Sequence, residues 1–114
     1  MTIKIIHINV KEIVESPLCI SVETGQKLFD KIEPLLNLGG KIILSFKGIE
    51  KISPIFVLTS LGKIYNKQYF TSSKKIMKQI DIKGLDKKKL KMLNENLKSI
   101  ENYYDNYYSC FTPK

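Results

Sequence analysis

The sequence predicts a single α/β domain of about four strands with helices packed against them, and three stretches carry that prediction. From Lys41 to Tyr65 an apolar run, Ile42-Ile43-Leu44, is followed by a short polar loop and a second, longer apolar run, the pattern of a buried strand feeding a buried helix. Upstream, Leu28, Phe29, Ile32, Leu35 and Leu36 recur at three- and four-residue steps. Downstream, Leu90, Leu93, Leu97, Ile100 and Tyr104 do the same, so each set lays an apolar stripe along a helix.

Taken in order, Thr2 to Val10 has the β-rich composition of a first strand, with Ile3, Ile5, Ile6 and Ile8 among polar positions. Lys11 to Ser16 is read as a short helical turn, and Leu18-Cys19-Ile20 as a short second strand. Ser21 precedes a helix from about Val22 to Leu36, in which Pro34 removes one backbone bond and is expected to bend or loosen the last turn. Gly39-Gly40 is the stop signal. In the third strand Ile42, Ile43 and Leu44 do not alternate with polar residues, which predicts a strand covered on both faces. Ser53-Pro54 is the grammar of a helix start: a hydroxyl cap, then a ring with φ already set where no N–H is needed. That helix is expected to run from Pro54 to about Tyr65, with Gly62 tolerated through a close backbone contact. Thr71-Ser72-Ser73 can open a short helix carrying Ile76 and Met77, and Ile80-Asp81-Ile82 reads as a last strand closed by Gly84. Asp86 caps the final helix, whose solvated face carries Lys87, Lys88, Lys91, Glu95 and Lys98.

The chain of 114 residues suits one domain, expected over 1–104, with 105–114 as a frayed tail. Its hydrophobic content of 43% is ample for one core without disulfides. Cys19 and Cys110 stand far apart, with neither a CxxC spacing nor a nearby His, which supports no zinc site and no disulfide framework. No apolar stretch approaches the roughly 18 residues that span a bilayer. The start MTIKIIHINV lacks the features of a signal peptide, so a cytoplasmic protein with reduced thiols and no membrane association is expected. The formal charge of +8 raises an anionic partner such as nucleic acid. That charge is carried by lysine, whereas arginine is the residue suited to bidentate recognition of phosphate and guanine.

Five spaced segments resemble one known family: Ser21-Val22-Glu23-Thr24-Gly25-Gln26-Lys27-Leu28, Ile42 to Ile49, Ile52-Ser53-Pro54-Ile55-Phe56, Leu61-Gly62-Lys63-Ile64-Tyr65, and Ile80-Asp81-Ile82-Lys83-Gly84-Leu85. Together they resemble the STAS-like domains of unknown function found in bacteria and their mobile elements, over about Val10 to Tyr104. The resemblance implies a mixed β-sheet with helices against it, akin to the STAS domains of anti-sigma factor antagonists. It also implies a non-enzymatic regulatory role through contacts with another protein, such as a partner ATPase or kinase. Ser45 stands in the central strand where the family usually has Asp.

In the antagonists a Ser at the start of the helix after the central strand is phosphorylated, and Ser53 is the similar position. A phosphate there would meet free N–H groups and the positive end of the helix dipole. The antagonist motif, however, has Asp before that Ser and a small residue after it, where this chain has Ile52 and Pro54. The plainer role of Ser53, a helix cap, is favoured. The surface expected to dock a partner runs from the loop Lys47 to Ile52 into the helix, through Lys47, Glu50, Lys51, Ser53, Ile55 and Phe56. Ser21, Thr24 and Gly25 could hold an anion, against the favoured reading of a cap plus a glycine for close helix packing. The alternative function is a nucleic-acid-associated regulator using Lys74, Lys75, Lys78, Lys87 and Lys88, with tyrosines downstream for base stacking; a solvated lysine surface is favoured over it. Self-association through the Pro54 to Tyr65 helix or the Leu90 to Tyr104 seam is compatible with docking. A single His7, a thiol in an apolar segment at Cys19 and the lack of any paired-carboxylate or Ser-His-Asp pattern give catalysis, metal and cofactors no support.

Overall fold

The structure, a computed structural model, describes residues 4–110. The order of elements is β1 (Ile5–Asn9), α1 (Val10–Val14), β2 (Leu18–Cys19), α2 (Val22–Asn37), β3 (Lys41–Ser45), β4 (Lys51–Ile52), α3 (Pro54–Thr59), a 3₁₀ helix (Leu61–Tyr65), α4 (Ser73–Met77), β5 (Ile80–Lys83) and α5 (Lys87–Ser109). The α/β class is as expected, but among the described residues the strands number five, in two sheets, and their pairings are parallel rather than mixed. Odd strands form one sheet in the order β1-β3-β5 and even strands the other, β2-β4, so the chain alternates between sheets as it advances. Thr2 and Ile3, expected in the first strand, lie outside the described residues.

The register sets Ile6 beside Ile42 and Ile8 beside Leu44, then Ile42 beside Ile80 and Leu44 beside Ile82, so that one side chain in two points to the core. Ile42, Leu44 and Phe46 are fully buried there against Leu28, Ile32, Leu36, Phe56 and Val57. The opposite face is open, which corrects the expectation of a strand covered on both sides. Ile43 is half-buried, Ile5 is 54% exposed, and Lys41 meets Asp81 across the strands at 3.2 Å. The run Ile42-Ile43-Leu44 hid this alternation because the residue facing outward is itself apolar.

Ser21 and Thr24 form a reciprocal capping box at the start of α2, the Ser21 hydroxyl accepting from Thr24 N–H at 3.1 Å and the Thr24 hydroxyl from Ser21 N–H at 3.2 Å. Both hydroxyls are thereby engaged in capping, and Gly25 presses its bare Cα against Thr59, where an added Cβ would stand 1.8 Å from Oγ1. The cap and the close helix packing are therefore what these residues do. Pro34 sits inside a helix that continues to Asn37 and ends at Gly39, which takes φ +80°.

The expected helix from Pro54 to Tyr65 is two pieces. Its α-helical part stops at Thr59, Ser60 leaves helical geometry, and a 3₁₀ turn follows from Leu61. Two adjacent hydroxyls cause the break: Thr59 Oγ1 donates to the Ile55 carbonyl at 2.8 Å and Ser60 Oγ to the Phe56 carbonyl at 2.7 Å. Gly62 then lets the 3₁₀ turn approach α5, since a Cβ there would lie 2.9 Å from Ile100 Cδ1.

The helix expected to end near Tyr104 runs on to Ser109. Tyr108 continues the seam one turn beyond Tyr104, their rings stacked at 5.9 Å. Its hydroxyl accepts from Lys67 N–H at 2.7 Å and donates to Asn66 Oδ1 at 3.2 Å. Residues 105–109 are thus helical, Cys110 is the C-cap, and the rest of the expected tail, 111–114, lies outside the described residues.

Candidate functional site

Ser53 follows β4 and caps α3, its hydroxyl accepting from Phe56 N–H at 3.3 Å. Parallel pairing of β4 with β2 fixes its position, because Glu50 N–H donates to Pro17 O at 2.7 Å and Ser53 N–H to Cys19 O at 2.9 Å. Around it lies a depression of about 500 Å³ lined by Ile20, Glu50, Lys51, Ile52, Ser53, Pro54, Lys88, Lys89 and Met92. The structure thus joins two regions that the sequence keeps apart: the loop before α3 and the lysine-rich start of α5. Lys89 is tied to the cap of its own helix, its backbone N–H and its ammonium both bonded to Asp86, which holds that carboxyl below its ordinary range.

Exposed apolar side chains continue this surface. Ile55 is 39% and Leu58 41% exposed on the outer side of α3. A second depression, of about 230 Å³, lies between Pro54 and Leu58 on α3 and Asn96, Ser99, Ile100 and Tyr103 on α5. Pro54 lines both hollows, and Met92 and Asn96 stand one turn apart on α5.

Of the residues expected to dock a partner, Glu50, Lys51 and Ser53 come together here and Ile55 lies exposed on the same short helix. Phe56 does not belong to the surface: it is 0% exposed, turned into the core by the helical step from Ile55. Lys47 is elsewhere, in the turn beyond β3 and packed over Gly84, whose added Cβ would meet Lys47 N at 2.7 Å. Met92, Asn96 and Tyr103 were missed because nothing in the spacing says that α5 flanks α3.

The lysines of the nucleic-acid alternative fall in two groups along the chain. Lys74, Lys75 and Lys78 are on or just after α4, before β5 begins, while Lys87 and Lys88 follow β5, so a strand of four residues separates the two groups. Lys75 lines a different hollow, with Leu36, Tyr69 and Gln79. Ser45 ends β3 on the open face, where its hydroxyl accepts from Lys47 N–H at 3.4 Å.

Cys19 is fully buried in β2, and burial pushes its thiol up from the ordinary 9.0 to about 11. The neutral thiol is favoured in the fold, so this contribution to stability is complete below pH 9 and is lost as the pH climbs from 9 towards about 11. At pH 8 a thiol reagent is expected to modify exposed Cys110 in the native protein and to reach Cys19 only on unfolding. Two thiols titrating equally fast in the native state would contradict the buried position. Among the described residues no group of three or more His, Cys, Asp or Glu is placed to hold a metal, and no helix is long and apolar enough to cross a membrane.

These features define a small parallel α/β module of the STAS-like type, with apolar and charged side chains exposed around the start of α3. The chain belongs to the family described as the STAS-like domain of unknown function (DUF4325), whose model matches residues 24–90. No curated protein and no solved structure matches the chain.

Proposed function

We propose that the protein is a cytoplasmic regulatory module that acts by docking another protein through the surface centred on Ser53, Lys51 and Ile55. One observation carries this reading: exposed apolar side chains on α3 adjoin a hollow rimmed by Lys51, Lys88 and Lys89, the mixture of apolar contact and charge that protein interfaces use. A partner ATPase or kinase of the anti-sigma type is the kind that the STAS-like fold suggests by analogy. Phosphorylation of Ser53 would set a doubly charged group among these lysines and alter docking. Self-association remains compatible with this role.

The test compares proteins captured from host extract by the wild-type chain with those captured by Ile55→Asp and Lys51→Glu. Both changes fall on exposed positions and should leave the melting temperature nearly unchanged. A partner retained by wild type and lost with both variants supports the reading. Capture indifferent to both, or recovery of nucleic acid alone, overturns it.

A further inference from the structure

We propose that two copies of the chain pair through the outer edge of β1, antiparallel about His7, joining their three-stranded sheets into one. This edge is separate from the docking surface at the start of α3, and neither reading depends on the other. Among the described residues β1 pairs on one side alone, with β3, and stands at the end of its sheet. The register shows which backbone groups are left over. Ile5 is the partner of Lys41, and Lys41 N–H donates to Lys4 O at 3.0 Å. In a parallel ladder of that register the backbone groups of Lys4, Ile6 and Ile8 face β3, so those of Ile5, His7 and Asn9 face outward.

The other edges carry the usual protections against pairing, and this one does not. Natural edge strands are kept single by charged side chains, proline, bulges or shortness. At the far end of the same sheet β5 carries Asp81 and Lys83, and β2 and β4 have two residues each. By contrast β1 has five residues, Ile-Ile-His-Ile-Asn, with no Lys, Asp, Glu or Pro. Its pairing to β3 runs without a bulge from Ile5 to Asn9.

Symmetry selects a second copy as the occupant. The outward residues Ile5, His7 and Asn9 are spaced evenly about His7. A twofold axis there sets Ile5 opposite Asn9 of the second copy and His7 opposite its own counterpart, each pair exchanging two hydrogen bonds. A slip of one residue turns inward groups towards outward ones, and a slip of two leaves an end pair unmatched. Because the same patch serves both sides, the assembly closes at two copies. Ile5, 54% exposed on the open face, comes beside Asn9 of the second copy and diagonal to its His7. No charge within β1 opposes the contact; the net charge of +8 on each copy does, and added salt is expected to strengthen pairing by screening it. One strand of this length is about 17 Å long, a smaller contact than permanent dimers use, so the dimer is expected to be reversible with a Kd of about 0.1 mM.

The experiment is sedimentation equilibrium of the whole chain from about 0.02 to 1 mM, with amide proton exchange read by NMR at both ends of that range. The amides of Ile5, His7 and Asn9 are expected to exchange about threefold more slowly at the higher concentration, while those of Ile6 and Ile8, already bonded to β3, change little. His7→Pro removes the central donor of each copy without touching the ladder to β3 and is expected to weaken the dimer at least tenfold. His7→Lys sets two ammonium groups opposite each other and is expected to weaken it about fivefold, whereas His7→Val keeps it. Thermal melts show which variants are folded, and His7→Lys decides the matter if His7→Pro is not. A monomer at about 1 mM, or a dimer indifferent to His7→Lys, overturns the proposal. So does a dimer abolished by Ile55→Asp, which would place the contact on α3. A monomeric chain whose Ile5, His7 and Asn9 amides become protected only by a protein from host extract overturns it too, since the edge would then receive a foreign strand. The docking reading is tested apart from all of these, by capture with Ile55→Asp and Lys51→Glu.

Discussion

Phe56→Asp is expected to leave no folded protein at 25 °C, whereas Ile55→Asp, one residue away, is expected to fold. Phe56 is 0% exposed, and its carbonyl accepts from both Ser60 N–H and Ser60 Oγ, so side chain and backbone alike are fixed in the core. Removing a buried aromatic ring costs about 3–5 kcal/mol. The carboxylate adds the penalty of an unpaired buried charge, several kcal/mol more or a proton uptake of similar cost. Against a total stability of about 5–15 kcal/mol for a domain of this size, little remains. Circular dichroism with thermal melts of both variants is the measurement. A cooperative melt for Phe56→Asp near that of the wild type would mean that α3 does not bury this face, and the assignment of Ile55 and Leu58 to the surface would fail with it.

The same pair of residues shows what was legible in the sequence. A helix starting at Pro54 was evident from Ser53-Pro54, but its apolar residues cover so much of the circumference that no moment points to a core side. Which of Ile55 and Phe56 faces inward is decided by α2 and β3, which are distant in sequence. Local signals were sufficient where the chain signals to itself: Ser21, Ser53 and Asp86 cap the helices they precede. They were insufficient for β4, a pair of residues held only by pairing to β2, and for Thr59-Ser60, whose side-chain bonds end a helix that the apolar pattern would continue. The end of α5 was misjudged for a related reason, since Tyr108, stacked on Tyr104, is also bonded through its hydroxyl to Asn66 and Lys67, which are distant in sequence. The family segments were readable because the residues that carry them are core and caps. The hollow between α3 and α5 was not, because its two walls are distant in sequence and are brought together only by the fold.

Gly25→Ala is expected to destabilise the protein by about 2 kcal/mol, although alanine is the better helix former. The substitution gains about 1 kcal/mol of helix propensity. Against this, the new Cβ would stand 1.8 Å from Thr59 Oγ1, 2.9 Å from Thr59 Cβ and 3.0 Å from the Phe56 carbonyl oxygen. Rotating the Thr59 side chain relieves the first contact and neither of the others, so α2 and α3 must move apart. Overpacking of this kind costs about 3 kcal/mol at the upper end of the usual range. Thr59→Gly removes both side-chain contacts, and in the Gly25→Ala/Thr59→Gly double variant the two effects should couple by about 1–2 kcal/mol, as expected for residues in direct contact. Urea unfolding of the four proteins closes the cycle. Additivity would show that the helices are not in contact at Gly25, and α3 would then lack the support from behind that holds Ser53, Ile55 and Leu58 towards solvent.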